Sequence, residues 1–300
     1  MATQRIVIVG GVAGGATAAA RLRRLSEDAE IVVLERGPYI SFANCGLPYY
    51  VGGDIAQRDA LLLQTPEGLR ARYNIDVRVR HEVLEIDRAE RALVVRDLAA
   101  DTTYRQPYDQ IVLSPGAAPL RPPLPGIDHP RIMTVRTVPD IDKVKAAVDA
   151  GARSALVVGG GFIGLEMVEN LIERGLTVHL VEMLDQVMPP LDREMAEPIH
   201  EQLRAAGVDL RLGRAAKSFA EVDGQIRAEL ADGSVISADL VVLAIGVRPE
   251  STLAKDAGLQ LNERGAIQVD AHMRTNDERI YAVGDAVAVT DWVTGNETMI

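Results

Sequence analysis

One arrangement of residues occurs twice in this chain and decides what it can fold into. Residues 5–9 (Arg-Ile-Val-Ile-Val) are a β-branched run that leads into a glycine-rich turn. An alanine-rich stretch follows to about Leu25, and a second apolar run, residues 31–34, ends at Glu35. The same order returns at residues 155–158 (Ala-Leu-Val-Val). There it continues through Gly159, Gly160 and Gly161, a stretch from Phe162 to about Arg174, and a run at residues 178–181 that ends at Glu182. Apolar runs without polar alternation predict strands covered on both faces of a parallel sheet. Two strand–helix–strand units of one design predict an α/β chain with two Rossmann-like domains, an internal duplication rather than a short solenoid repeat.

The turns between these runs carry chemistry. A dinucleotide needs a tight turn, close backbone approach to its pyrophosphate, a helix N-terminus aimed at the phosphates, and an acid about 20 residues on for the ribose hydroxyls. Gly159, Gly161, Gly164 and Glu182 meet every requirement. In the first copy Gly10 and Gly15 fit, Glu35 is the acid, and Val12 stands where the middle glycine would be. One such pattern alone is compatible with a tight turn and no ligand. Two copies in the same strand-and-helix context predict two dinucleotide sites. Glu182 would repel a 2′-phosphate, and Met183 and Leu184 follow it rather than an arginine, so NADH is favoured, with NADPH as the alternative.

Bulk properties narrow the partners. A chain of 300 residues is long enough for two domains. Its formal net charge of -11 argues against binding a phosphate backbone, so no nucleic-acid partner is expected. The single cysteine excludes an internal disulfide framework and a multi-cysteine metal site, and fits a reducing cytoplasmic setting. The apolar run at residues 6–20 is too short and too broken by Gly10, Gly11, Gly14 and Gly15 to span a membrane, and no membrane partner is expected. Alternating text at residues 76–104 predicts a small antiparallel addition, and residues 109–113 another buried strand. Proline-rich residues 119–130 mark a crossing between domains; residues 240–245 are another strand, and residues 246–249 after it mark the return. The expected division is therefore 1–119 plus 245–300 for one domain and 120–244 for a second inserted into it.

The segment 41–50, Ser-Phe-Ala-Asn-Cys-Gly-Leu-Pro-Tyr-Tyr, holds the only thiol. Pro48 suits the first turn of a helix, which puts Cys45 just before a helix N-terminus, where the dipole favours a thiolate nucleophile. A buried structural cysteine is the competing reading, and position alone leaves both open.

Taken together, the first glycine turn, this cysteine block, the second glycine turn and the Tyr-Ala-Val-Gly-Asp block at residues 281–285 resemble a known family. It is the single-cysteine branch of the pyridine nucleotide-disulfide oxidoreductases, close to coenzyme A disulfide reductases and NADH-dependent persulfide or polysulfide reductases. The resemblance covers nearly the whole chain. It implies FAD held by Gly10, Gly15, Glu35 and Asp285, and a nicotinamide cofactor held by Gly159, Gly161, Gly164 and Glu182. Cys45 would be the redox cysteine beside the flavin, assisted by Asn44. Thr17, Arg21, Arg24, Ser41 and Asn44 match positions that contact coenzyme A; a solvated helix face is the competing reading for the two arginines. NADH peroxidases of this fold carry a histidine where this chain has Ala13, which argues for a disulfide or persulfide as substrate. Family members usually continue into a third domain that forms a homodimer interface, whereas this sequence ends at Ile300. An NADH oxidase of the same fold, or a non-catalytic flavin-binding fragment, are the alternatives that the resemblance leaves open.

Overall fold

Ile6 lies opposite Ile31 and Ile8 opposite Val33 in a parallel pair, the strand partnership that the first repeat predicts. The computed structural model describes residues 3–299, the last by its backbone alone. Contacts divide the chain into two units: Met1–Phe42 with Leu62–Ala118 and Arg248–Ile300, and Ala43–Leu61 with Pro119–Val247.

The first unit is built on a five-stranded parallel sheet in the order 280–282, 110–113, 5–9, 30–35 and 76–79. Val7, Ile8, Val32 and Val33 have no solvent exposure, because separate apolar clusters cover the two sheet faces. An antiparallel three-stranded sheet, His81–Asp87, Ala92–Asp97 and Thr102–Pro107, accounts for the alternating text. The expected start of that sheet needs correction. Asp76–Val79 instead joins the parallel sheet beside residues 32–35, and the chain breaks at Arg80, whose φ of 58° lies in the left-handed region.

The second unit repeats the design, with parallel strands in the order 209–211, 177–181, 154–158, 240–243 and 132–134. A three-stranded antiparallel sheet, 216–222, 225–230 and 235–238, packs its apolar side onto the parallel one through Phe219, Ile226 and Ile236.

This division departs from the expected one in a functionally important stretch. Residues 43–61, expected with the first domain, cluster with the second unit. The reason is local packing. The short helix Leu47–Gly52 seats on the helices Val138–Asp149 and Phe162–Glu173. Its last residue is Gly52, where a Cβ would collide with the Asn170 side chain unless that side chain moved. The Arg174 guanidinium donates to the Val51 carbonyl at 2.8 Å and to Asp149 at 2.6 Å. Arg58 pairs with Asp142 at 2.7 Å. Among the described residues no helix is long and apolar enough to cross a membrane.

Candidate functional site: two glycine cradles and an exposed cysteine

In the first unit the strand 5–9 stops at Gly10, whose φ of 94° turns the chain sharply. A side chain at Gly10 would strike the Ser114 carbonyl, and one at Gly15 would strike the carbonyl of Gly10. The turn is thus closed against both the neighbouring strand and its own helix. The helix Ala13–Leu25 begins at Val12 without a side-chain cap and with no acid in its first turn. Uncapped N–H groups at a positive dipole end suit the phosphates of a nucleotide. Glu35 spans the turn, its two oxygens accepting the Gly11 N–H at 2.8 Å and the Gly37 N–H at 2.6 Å. The turn Val283–Asp285 comes beside it: a Cβ at Gly14 would lie 3.4 Å from Val283. Asp285 itself is exposed. Gly10, Gly15, Glu35 and Asp285 are therefore brought together.

The second unit reproduces this to the level of single hydrogen bonds. Gly159 turns with φ 109°, and a Cβ at Gly164 would strike the Gly159 carbonyl. At Gly161 a Cβ would meet open space, so this glycine is free for a ligand to approach. The helix Phe162–Glu173 likewise begins with no side-chain cap and no acid in its first turn. Glu182 accepts from Gly160 N–H at 2.6 Å and Leu184 N–H at 2.8 Å, the same relative positions that Glu35 serves. At 8% exposure Glu182 is buried, not a solvated strand-end acid. Phe162 and Met183, 65% and 68% exposed, border the turn with Ile163 and Leu184 and present apolar surface to solvent.

Cys45 lies in the short 3-10 turn Asn44–Gly46, directly before the helix that carries Pro48 in its first turn. It is exposed, as is Asn44, which removes the buried structural reading. On the same helix, the Tyr49 hydroxyl is held above its ordinary pKa by the charge of Glu166, then by burial and Glu169. Burial, and then Glu169, push the Glu166 carboxyl above the usual carboxylate range.

The coenzyme A candidates resolve in part. Thr17, Arg21 and Arg24 all lie exposed, with Ala13, along one face of the Ala13–Leu25 helix. Arg23, between them in sequence, is spent on the carbonyls of Glu27, Ala29, Tyr73 and Asn74. Ser41 is half-buried at a left-handed φ of 47°, with its N–H donating to the Gly11 carbonyl at 2.9 Å. Sequence reading passed over Ser114, which walls the first turn, and Asn170 and Arg174, which seat the cysteine helix. Only Ser114 carries a sequence signal, its place at a buried strand end before Pro115.

A family model, Pyridine nucleotide-disulphide oxidoreductase, matches residues 4–298. The chain belongs to this family. Among curated members it is 36% identical to an NADH oxidase of Methanocaldococcus jannaschii over 98% of this chain and 66% of that protein. It is 35% identical to a coenzyme A disulfide reductase of Staphylococcus epidermidis, over 94% of this chain and 63% of that one. The chain thus spans about two thirds of the length of these relatives. Among solved structures, reduced Bacillus anthracis CoADR-RHD superposes with a TM-score of 0.97 at 52% identity, covering all of this chain and 54% of that one. A NAD-dependent persulfide reductase from A. fulgidus gives 0.96 at 38% identity, over 99% and 56%. An engineered water-forming NADPH oxidase, a five-position mutant of the Lactobacillus brevis NADH oxidase, gives 0.94 at 30%, over 99% and 66%.

Proposed function

We propose that this chain carries the two nucleotide-binding units of an FAD-dependent NADH oxidoreductase in which Cys45 exchanges with a disulfide or persulfide of the coenzyme A class. The observation that carries the reading is the exposed Cys45 in a turn at a helix N-terminus, in a chain with two glycine cradles.

In the first unit Gly10, Gly15, Glu35 and Asp285 would hold FAD. The uncapped helix N-terminus receives its pyrophosphate, and Glu35 keeps lone pairs for ribose hydroxyls beyond its two backbone bonds. In the second unit Gly159, Gly161, Gly164 and Glu182 would hold NADH. Bound FAD supplies the two-electron relay from NADH to a disulfide at Cys45. The Cys45 thiolate attacks one sulfur of the substrate disulfide, forming a Cys45–sulfur bond as the original S–S bond breaks and one thiolate leaves. Two electrons and a proton, which bound FAD would relay from NADH, would then cleave this mixed disulfide, releasing the second thiol and restoring the Cys45 thiolate. With a persulfide the released product is hydrosulfide. Asn44 would orient the substrate sulfur beside Cys45. Arg21 and Arg24, free of ion pairs among the described residues, would meet coenzyme A phosphates with Thr17 and Ser41.

The engineered NADPH oxidase supports the coenzyme reading. Its substitutions fall on a glycine, an acid 18 residues on, the next two residues, and a proline five further. That spacing in this chain lands on Gly164, Glu182, Met183, Leu184 and Pro189. A second reading, an NADH oxidase with oxygen as acceptor, is favoured by the relatives that bear that name. Anaerobic NADH oxidation with coenzyme A disulfide or coenzyme A persulfide separates the two. Turnover without oxygen supports the disulfide or persulfide reading. NADH consumption that appears only when oxygen is admitted supports the oxidase and contradicts it.

A further inference from the structure

His200 has no part in the function proposed above, yet it is 2% exposed and fully hydrogen-bonded. It lies on the helix Arg193–Ala205. Its Nε2 lies 3.1 Å from the backbone nitrogen of Val187, and its Nδ1 lies 3.0 Å from a Glu197 oxygen. A backbone N–H can only donate, so Nε2 is the acceptor. Nδ1 then carries the proton and donates it to the Glu197 carboxylate. One imidazole in one tautomer thus joins the helix to the loop 183–192.

That loop is pressed onto the second glycine turn. Val187 has no exposed surface, and a Cβ at Gly160 would lie 2.8 Å from its side chain. The Met188 N–H donates to the Gly160 carbonyl at 2.8 Å, with Met188 at a left-handed φ of 50°. Gly160 N–H is in turn the donor to Glu182. Backbone bonds also hold the loop, Met188 N–H to Gly160 and Gly213 N–H to the Leu184 carbonyl at 2.7 Å, whereas the Arg193–Asp185 pair is about 70% exposed on both sides and contributes little. The Val187 N–H is the buried one, and a buried donor without an acceptor is costly. Pro189, two residues on, matches a position changed in the engineered NADPH oxidase.

We propose that His200 is a positioning residue for the coenzyme. Through its Nε2 it fixes Val187, and with it the loop 183–192 that forms one wall of the second cradle. The inference rests on the reading of that cradle as the NADH site.

The test compares the full-length holoprotein with His200→Phe, which fills the space without an acceptor, and His200→Gln, whose side-chain oxygen reaches the same N–H. Two quantities are measured: hydrogen exchange at the Val187 amide without coenzyme, and the dissociation constant for NADH by titration. The Phe variant should lose Val187 protection and bind NADH on the order of fivefold more weakly, and Gln should restore both. The exposed Glu197→Ala change, which frees the tautomer while leaving the core intact, should weaken NADH binding in the same direction but less. Unchanged NADH affinity in a folded Phe variant overturns the proposal, as does weakened affinity with Val187 exchange unaltered. A wild-type protein without NADH affinity overturns the coenzyme reading itself, and this inference with it.

Discussion

Glu35 and Glu182 do the same job 147 positions apart: each carboxylate accepts from the residue after the turn glycine and from its own second neighbour. The acid is a brace before it is a ligand contact. That explains why an acid, and not merely a polar residue, ends both runs. Gly15 has an equally sharp requirement. Gly15→Ala drives a methyl into the Gly10 carbonyl and should cost about 1–3 kcal/mol of stability, read in a urea titration, and weaken FAD retention, read as flavin absorbance after gel filtration. Glu166 makes a pH-dependent prediction. Its folded-state pKa is raised, so its contribution to stability is present below the unfolded value of about 4.3 and lost as pH rises through the folded value. Glu166→Gln removes the disfavoured charge. Its thermal midpoint should exceed the parent's at about pH 8, and the difference should vanish at about pH 4.

Among the elements, the short helix after Cys45 shows what sequence could and could not reveal. Pro48 announced the helix, and the structure has it in the first turn. Where that helix would dock was invisible, because its seat depends on Gly52 facing Asn170 and on Arg174 reaching the Val51 carbonyl, partners more than a hundred residues away. Asn170 Oδ1 is buried with no hydrogen-bond partner, so the seat is close packing with one polar group left unsatisfied. Gly52→Ala should destabilise the protein by about 1–3 kcal/mol, measured by denaturant unfolding. The second cradle, by contrast, was legible almost completely. Its determinants are a strand, a turn and a helix adjacent in sequence, so local rules suffice. Replacing Glu182, Met183, Leu184 and Pro189 by Ala, Arg, Ser and Arg should raise the NADPH-to-NADH ratio of kcat/KM by at least about tenfold, since the brace's charge is removed and two cations are supplied for a 2′-phosphate.

Across the whole molecule, the duplication was the decisive signal. Two copies of one strand–turn–helix–strand unit gave the chain two parallel sheets of five strands, and the antiparallel sheet from His81 onward followed from its alternating text. The exception is the segment 43–61, whose long-range packing groups it with the second unit. Single-sequence periodicity cannot report such a grouping, since it records which face of an element is apolar and not what covers it. On the reading proposed here the lone exposed thiol, Cys45, is the group that reacts with the sulfur substrate. The most direct measurement is anaerobic NADH oxidation by the FAD-loaded protein with coenzyme A disulfide or persulfide, comparing wild type with Cys45→Ser. Turnover should be lost in the variant while its flavin absorbance is kept; turnover that survives in Cys45→Ser would show that another group reacts with the sulfur.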